Sequence, residues 1–384
     1  MIVQVLATVV LLVWLYLLLA RGGFWRVSAQ LGQPPVDHDL ARSIVAVIPA
    51  RNEAGVVGDA VRSLLQQDFG GSMHVIVVDD GSADDTEGAA ARAAAGMGAM
   101  AQLTVIRGAP LPAQWSGKVW AMSQGVAAAA PFAPDYLLFT DADIHHAPEN
   151  VAALLTTAEA QDRDLVSFMV KLRQDTFAEK TLIPAFVFFF LMLYPPAWIA
   201  RPDRRIAGAA GGCILIRPAA LERMGGLAAI RAQIIDDCAL ARAVKDAGGS
   251  IWLGLTRSAR SIRSYGSFSE IGRMIARTAF NQLRHSYVLL AATIAGLILT
   301  YLLPPLLLLS GRPVAIVCGA TAWLLMSLTY APLLRFYRRS PLCSACLPLV
   351  AMFYAGATIY SAVQYSLGRG GRWKGRIQDL NIRP

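Results

Sequence analysis

The 384-residue chain is apolar and basic, with 55% hydrophobic residues, only 16% charged residues and a formal net charge of +9. Soluble domains carry about 25% charged residues, so part of this chain is expected to be solvated by lipid. Basic residues beside apolar runs fit anionic lipid headgroups better than nucleic acid, and no nucleic-acid partner is expected. Five scattered cysteines argue against a disulfide framework.

An uncharged apolar run from Ile2 to Ala20 is followed by Arg21 and Arg26. A helix of this length can cross the ~30 Å of hydrocarbon in a bilayer. Because the positive charge follows the run, the positive-inside rule places everything after Arg21 in the cytoplasm. We therefore predict a transmembrane anchor over residues 1–21 of an integral membrane protein, with the bacterial inner membrane as its location and the catalytic domain cytoplasmic.

Short apolar runs alternate with helical patterns between residues 42 and 265. The predicted strands are 44–48, 74–78, 103–106, 136–140 and 214–216, and the predicted helices are 53–67, 85–101 and 118–130. This alternation predicts an α/β domain, Rossmann-like, with a mostly parallel sheet and helices on both faces. Ligands of such sheets bind at the carboxyl ends of the strands.

Further apolar stretches lie inside and after this domain. Residues 182–200 carry three prolines and predict either a helix lying in the membrane interface or a buried core helix. An interfacial helix is expected over 266–286, a transmembrane region over 287–367 and a basic cytoplasmic tail over 368–384. The transmembrane region contains the stretches 287–310, 313–334 and 342–367. Three full spans would put the basic tail outside, so either the last stretch is re-entrant or the positive-inside rule fails here.

Polar motifs follow three of the predicted strands. They are Pro49-Ala50-Arg51-Asn52-Glu53, then Asp79-Asp80-Gly81-Ser82, then Asp141-Ala142-Asp143. Asp141 and Asp143 can face one cation if the turn bends, and hard carboxylate oxygens suit a divalent metal that neutralises a departing diphosphate. Purely structural alternatives exist: Ser82 or Asp84 can cap the following helix, and Glu53 can stabilise a helix dipole.

Together with Asp236-Asp237 and Asn281-Gln-Leu-Arg284, these motifs resemble family 2 glycosyltransferases of the GT-A fold. The resemblance implies that a nucleotide sugar is bound by the residues that match the family's donor site, and that Mg²⁺ or Mn²⁺ is held by Asp141 and Asp143. The donor-site residues are Pro49, Ala50, Arg51, Asn52, Glu53, Asp79, Asp80, Lys118, Asp141 and Arg284.

The resemblance also implies that Asp237 is the catalytic base, which removes a proton from the acceptor hydroxyl in a single inverting displacement. Two departures from the family pattern weaken specific assignments. Asp236 stands where glutamate is commoner, and Asn281 and His285 replace the Gln and Trp that related membrane enzymes carry around Arg284.

Three segments extend the resemblance to the hopanoid-biosynthesis-associated (hopene-associated) glycosyltransferases: 115–121, 141–146 and 277–284. That likeness implies that the acceptor is a polycyclic triterpenoid such as a hopanoid, or another membrane lipid, and the resemblance to family 2 implies a UDP-sugar donor. A polyprenyl-phosphate sugar transferase and a processive polysaccharide synthase remain alternatives. A non-catalytic GT-A membrane protein is least favoured because the expected carboxylates are all present. A dehydrogenase is disfavoured because no G-x-G-x-x-G follows the first strand. The sequence leaves the oligomeric state open.

Overall fold

A computed structural model describes residues 1–27 and 35–370, and the backbone of 372–373 and 376–377. Most of the predicted basic tail over 368–384 lies outside the described residues. The last two backbone pieces form a small antiparallel ladder, Arg372–Trp373 with Arg376–Ile377.

An eight-stranded sheet forms the centre of the molecule, in the order β3-β2-β1-β4-β7-β6-β8-β5. Its strands are β1 (Ser43–Ala50), β2 (Ser72–Asp79), β3 (Leu103–Arg107), β4 (Tyr136–Phe139), β5 (Ile144–His146), β6 (Leu165–Lys171), β7 (Ile214–Ile216) and β8 (Ile251–Ser261). Strand β1 pairs in parallel with β2 and β4, as do β2 with β3 and β6 with β8, whereas β7 and β5 run antiparallel to their neighbours. The expected mostly parallel α/β sheet is confirmed.

Helices connect the strands and extend beyond them. They are α1 (Ile2–Leu19), α2 (Val57–Leu65), α3 (Thr86–Ala95), α4 (Gly117–Ala129), α5 (Asn150–Ala160), α6 (Phe177–Leu193), α7 (Pro196–Ile199), α8 (Pro218–Arg223), α9 (Asp236–Asp246), α10 (Phe268–Gln282), α11 (Tyr287–Leu297), α12 (Leu303–Leu307), α13 (Pro313–Phe336) and α14 (Leu347–Ser366). A π-helical segment, Ile298–Leu302, joins α11 to α12, and a 3₁₀ helix, Pro341–Cys346, precedes α14.

Both faces of the sheet are buried, because successive side chains of a strand point to opposite sides. Val45 and Val47 of β1 belong to one core cluster, whereas Ile44 and Ala46 belong to the other, under α2, α3 and α5. The first cluster continues into the apolar helices, where it includes residues such as Trp14 of α1. The sheet domain and the apolar helices therefore share one core.

Two predicted helices are shorter than expected. The helix predicted over 53–67 begins at Val57, because residues 51–54 form a loop in which Asn52 has a positive φ of 53°. The helix predicted over 85–101 ends at Ala95, since Gly98 adopts the left-handed region favoured by glycine. Strands β5, β6 and β8 were not predicted.

Five segments of the described chain are long and apolar enough to cross a membrane. They are Ile2–Leu19, Phe177–Ile199, Tyr287–Leu307, Pro313–Phe336 and Pro341–Ser366. Helix α1 packs along α13, and Trp14 Nε1 donates a hydrogen bond to the carbonyl of Thr300, 2.7 Å away. The segment Phe177–Ile199 is more than half buried by the rest of the protein.

Helix α14 lies alongside α10 and runs in the same direction. Phe353 contacts Phe268 with ring centroids 6.0 Å apart, and the Phe280 amide donates to Ser361 Oγ at 3.1 Å. The 3₁₀ turn before α14 is connected to α13 by a hydrogen bond from Trp323 Nε1 to the carbonyl of Ala345. Helix α14 therefore packs on the amphipathic helix that borders the sheet domain.

Candidate active site

A cavity of about 1010 Å³ opens where the carboxyl ends of β1, β4, β6 and β8 meet the helices α6, α10 and α14. Because these four strands are parallel, their carboxyl ends share one edge of the sheet, where ligands of such sheets bind. The polar and charged residues of its wall include Glu53, Ser116, Lys118, Asp141, Asp143, Asp236, Asp237, Ser261, Arg263, Arg273, Arg277 and Gln364. The cavity brings together motifs that are far apart in the chain.

Lys118 links the Asp141 motif to the Asp236-Asp237 pair. It sits in the first turn of α4, and its Nζ lies 2.9 Å from Asp141 Oδ1 and 3.0 Å from Asp236 Oδ2. Burial alone would lower the pKa of Lys118, but the carboxylates of Asp141, Asp236 and Asp237 outweigh burial and raise that pKa above its usual value. Lys118 is therefore a fixed cation between two acidic motifs.

Arg263 makes the corresponding contact for Asp143. Its Nε lies 2.9 Å from Asp143 Oδ2, and its Nη2 lies 2.6 Å from Glu53 Oε1. Ser261 Oγ donates to the same Asp143 oxygen at 3.1 Å. Burial acts to lower the pKa of Arg263, but Asp143 and then Glu53 raise it overall. Glu53 therefore forms an ion pair with Arg263 across the cavity. Helix α2 begins four residues after Glu53, at Val57.

Asp237 lies at the start of α9 and is held by two backbone groups. Its Oδ2 accepts a hydrogen bond from the Gly211 amide at 2.9 Å, and its Oδ1 accepts from the Cys238 amide at 2.7 Å. Burial, and next the neighbouring Asp236 carboxylate, raise the pKa of Asp237 to about 6, although Lys118 acts in the opposite direction. A carboxylate with such a pKa is both ionised at neutral pH and basic enough to accept a proton.

The carboxylates of Asp141 and Asp143 fit a divalent cation that also binds water or substrate oxygens. Asp141 and Asp143 line the same cavity, and each now contacts a basic side chain, Lys118 or Arg263. In the described part of the chain, no group of three or more His, Cys, Asp or Glu side chains forms a complete metal site. Two carboxylates suit Mg²⁺ or Mn²⁺, which usually retain water and bind substrate phosphates in addition to one or two carboxylates.

The loops after β1 and β2 are joined by side-chain hydrogen bonds. Arg51 donates to the main-chain carbonyls of Asp80 and Gly81. The Asn52 amide donates to Ser82 Oγ at 2.9 Å, and Asn52 Oδ1 accepts from the Ala83 amide at 2.7 Å. The two predicted nucleotide-binding motifs are therefore brought together at one corner of the sheet.

Within this corner, the predicted residues occupy different positions. Pro49 and Glu53 line the cavity, whereas Ala50 is buried at the end of β1, beside Asp79 in the sheet register. Asp80 is almost fully buried, and Asp79 Oδ1 accepts a hydrogen bond from the Ser82 amide at 2.8 Å. Ser82 and Asp84 bind the first loop and do not cap α3 with their side chains.

Arg284 is the one predicted donor-site residue that lies apart from this corner and the cavity. It follows the end of α10, is exposed and has a positive φ of 52°. Two arginines within α10, Arg273 and Arg277, line the cavity. The role of Arg284 stays a prediction.

Sequence reasoning missed several residues of the cavity wall. Arg263 and Ser261 follow or end β8, and the signal that could have found them was the apolar run 251–255 leading into polar residues. Ser116 precedes α4; its hydroxyl is buried and has no hydrogen-bond partner among the described residues. No sequence signal identified Gln364 of α14, because its position depends on the packing of two helices.

Residues 45–225 match the family described as Glycosyl transferase family 2. The match covers β1 to α8 and includes the Asp79-Asp80 and Asp141-Asp143 motifs. With this family match and this fold, the protein is a glycosyltransferase. The sheet is the α/β sheet of GT-A-like enzymes. No curated protein matches the sequence.

Several solved structures are similar to the chain. The mannosyltransferase PcManGT from Pyrobaculum calidifontis, in complex with GDP-Man and Mn²⁺, is 17% identical with a TM-score of 0.54, over 96% of this chain and 99% of that one. Glucosyl-3-phosphoglycerate synthase from Mycobacterium tuberculosis, with Mn²⁺, UDP-glucose and phosphoglyceric acid, is 20% identical with a TM-score of 0.38, over 64% and 82%. TarS of S. aureus is 15% identical with a TM-score of 0.41, over 62% and 40%.

Proposed function

We propose that the protein transfers a sugar from a UDP-sugar, with inversion, to a hydroxyl group of a membrane lipid, with a hopanoid as the acceptor class. The observation that carries the proposal is that one cavity is bordered both by acidic side chains and by the apolar or amphipathic helices α6, α10 and α14. Asp141 and Asp237 lie in its wall together with Phe186, Phe190 and Met274. A soluble acceptor would have no need of such an apolar wall.

The wall divides into a charged part and an apolar part. The charged part comes from the strand ends, from α4 and from the arginines of α10, and it suits a nucleotide diphosphate because Lys118, Arg263 and Arg277 supply fixed cations. The apolar part comes from Phe186 and Phe190 of α6 and Met274 of α10, and it suits the body of a lipid. We place the acceptor hydroxyl at the junction between them, beside Asp237.

The reaction is a single displacement. The carboxylate of Asp237 accepts the proton of the acceptor hydroxyl, the hydroxyl oxygen forms a bond to the anomeric carbon, and the bond from that carbon to the diphosphate oxygen breaks. The diphosphate departs with the bonding electrons. The hydrogen bonds from the Gly211 and Cys238 amides fix the position of the base.

Asp141 and Asp143 would hold Mg²⁺ or Mn²⁺, which stabilises the negative charge of the leaving diphosphate. Lys118 and Arg263 form ion pairs with the carboxylates of Asp141 and Asp143 and partly neutralise their charge. The wall residues Arg273 and Arg277 add positive charge on the helix side of the cavity. The donor is thus surrounded by cations from the sheet and from α10.

The proposed membrane topology has the sheet domain in the cytoplasm. Basic residues follow α1 and α13 at their ends: Arg21, Arg26, Arg338 and Arg339. The C-terminal end of α14 and the residues after it contribute Gln364 and Arg369 to the cavity, and α14 begins eight residues after Arg339. Of the two alternatives left by the sequence, this arrangement favours a re-entrant last stretch with both ends on the cytoplasmic side, which satisfies the positive-inside rule.

The test is sugar transfer by the full chain reconstituted with a membrane lipid extract. UDP-glucose, UDP-N-acetylglucosamine and GDP-mannose, each radiolabelled, are supplied in turn with Mn²⁺, and label in the organic phase is counted. We expect label from a UDP-sugar, lost on Asp237→Asn and kept on Asp246→Asn, a matched change at the exposed far end of α9.

Other outcomes identify the alternatives. Label in a water-soluble polymer would indicate a processive synthase. A labelled lipid that mild acid hydrolyses would indicate a polyprenyl-phosphate acceptor. Transfer from GDP-mannose alone would contradict the UDP donor, and transfer that survives Asp237→Asn would remove that residue as the base.

A further inference from the structure

A second cavity, of about 510 Å³, lies between the sheet domain and the end of α13. Its wall is formed by residues 171–175 after β6, Lys180 of α6, residues 260–262 at the end of β8, and residues 337–339 after α13. We call it the basic cavity. Its volume falls within the ~300–1,000 Å³ typical of ligand pockets.

The basic cavity has many cations and one carboxylate. The cations are Lys171, Arg173, Lys180, Arg260, Arg338 and Arg339, and the carboxylate is Asp175. Asp175 Oδ2 lies 2.6 Å from Arg173 Nε and neutralises that residue. Among the described residues, no carboxylate lies within ion-pair distance of the other five cations.

This charge arrangement is unfavourable unless an anion is bound. Burial, and then the neighbouring cations Arg338, Arg257 and Arg260, lower the pKa of Lys171 below its usual value. Like charges gathered at one surface repel each other, and an anionic ligand would relieve that repulsion. The cluster therefore points to a ligand with at least one negative charge.

A buried donor in the wall supports a ligand independently of the charges. The side-chain nitrogen Nε2 of Gln174 is buried and has no hydrogen-bond partner in the described part of the chain. Buried donors in folded proteins are nearly always paired. Gln174 lines the basic cavity, so an anion bound there lies next to this amide group and to arginines whose guanidinium groups match phosphate geometry.

The position of the basic cavity favours a lipid as the source of that phosphate. Tyr337, Arg338 and Arg339 directly follow α13, which is a candidate membrane span. Phe177, three residues before Lys180, is 74% exposed and contacts Phe268 with ring centroids 6.0 Å apart. Exposed phenylalanine rings beside basic residues are typical of helices that lie at the membrane–water boundary.

We propose that the basic cavity binds the phosphate-bearing headgroup of an anionic phospholipid in the leaflet next to the sheet domain. This inference rests on the membrane insertion described under the proposed function, but not on the sugar donor or acceptor. Basic pockets at the ends of membrane helices are suited to such headgroups.

The test is a binding titration on the full chain in a non-ionic detergent. The probes are dihexanoyl-phosphatidylglycerol, dihexanoyl-phosphatidylcholine, glycerol 3-phosphate and inorganic phosphate, and the readout is tryptophan fluorescence, with native mass spectrometry to count bound lipids. We expect the phosphatidylglycerol to bind far more tightly than the other three probes, and R338Q/R339Q to weaken its binding about tenfold or more.

The matched control is R62Q/R92Q, which removes the same charge from α2 and α3. Arg62 and Arg92 are paired with Asp59 and Asp85 and lie away from the basic cavity. This control should leave phosphatidylglycerol binding unchanged. If R338Q/R339Q fails to fold, as judged by thermal unfolding, Lys180→Gln repeats the test from another element and should weaken binding about fivefold.

Three results would overturn the inference. The first is equal binding of phosphatidylglycerol and phosphatidylcholine. The second is an equal loss of phosphatidylglycerol binding in R338Q/R339Q and in the control R62Q/R92Q. The third is unchanged phosphatidylglycerol binding in both R338Q/R339Q and Lys180→Gln. Binding of inorganic phosphate or glycerol 3-phosphate as tight as that of the lipid would assign the cavity to a soluble phosphate compound instead. If the wild-type protein transfers sugar but does not bind phosphatidylglycerol, only this inference is wrong. If it binds phosphatidylglycerol but does not transfer sugar, only the proposed function is wrong.

Discussion

The ammonium group of Lys118 lies 2.9 Å from the carboxylate of Asp141. The same group lies 3.0 Å from Asp236, the neighbour of the proposed base. A change in the charge of Lys118 therefore reaches both the donor side and the acceptor side of the cavity. Lys118 should therefore influence how the rate of the reaction depends on pH.

Transfer should depend on pH through Asp237. The pKa of this carboxyl is raised to about 6, so at lower pH the group is protonated and cannot accept the hydroxyl proton. We expect the single-turnover rate to fall about tenfold per pH unit below 6 and to level off above it. A rate that stays constant down to pH 4.5, with the protein still folded, would exclude Asp237 as the titrating base.

Replacing Lys118 by methionine should move this pH dependence. Lys118 acts to lower the pKa of Asp237, so its loss should raise that pKa and shift the acid limb to higher pH. The rate above the limb should also fall about 10²-fold, since an oriented cation near the diphosphate is lost. The measurement is a single-turnover pH profile, and Lys245→Met at the other end of α9 serves as the control. An acid limb at unchanged pH would contradict the proposed contact.

Glu179 should be important for stability rather than for chemistry. It is fully buried at the start of α6, and its carboxylate accepts hydrogen bonds from the amides of Asp175, Thr176 and Tyr265. Glu179→Ala leaves these donors unpaired, and we expect a loss of about 2–4 kcal/mol in the free energy of unfolding.

Thermal unfolding in detergent gives the comparison for Glu179. The exposed Glu222 of α8 provides the matched control, and Glu222→Ala should change stability by less than ~0.5 kcal/mol. Equal effects of the two substitutions would show that the Glu179 hydrogen bonds do not hold α6 to the loop at Tyr265.

Gly125 marks the close packing of α4 on the sheet. A β-carbon at this position would overlap Val47 Cγ1 of β1. Gly125→Ala should therefore destabilise the protein by about 1–3 kcal/mol, although alanine is the better helix former by about 1 kcal/mol. Gly296→Ala in α11, where a β-carbon meets nothing within 4 Å among the described residues, should be neutral or stabilising. The reverse order of melting temperatures would contradict the packing of α4.

The sequence predicted the first half of the sheet well, because strands β1, β2 and β4 are uninterrupted apolar runs buried on both faces. It predicted poorly where polar residues enter a strand. Strand β8 ends in Arg257-Ser-Ala-Arg-Ser261, which looks like a surface segment, yet this end carries Ser261 towards Asp143.

The site was predictable only as far as motifs follow strands. Asp141, Asp143 and Glu53 were found in this way, whereas Arg263 was missed because nothing in its neighbourhood shows that it will contact two motifs more than a hundred residues away. The helical wall of the cavity was equally hidden. Gln364 reaches it only because α14 packs along α10, and such helix pairing cannot be read from composition or periodicity.

The central claim, a metal-dependent nucleotide-sugar site at Asp141 and Asp143, is tested most directly by calorimetry. UDP is titrated into the detergent-purified full chain with and without Mn²⁺, for the wild type and for Asp143→Asn. We expect UDP binding that requires Mn²⁺ and is lost in the variant, while the melting temperatures of the two proteins remain similar. Absence of UDP binding, or binding indifferent to both Mn²⁺ and Asp143, would contradict the account.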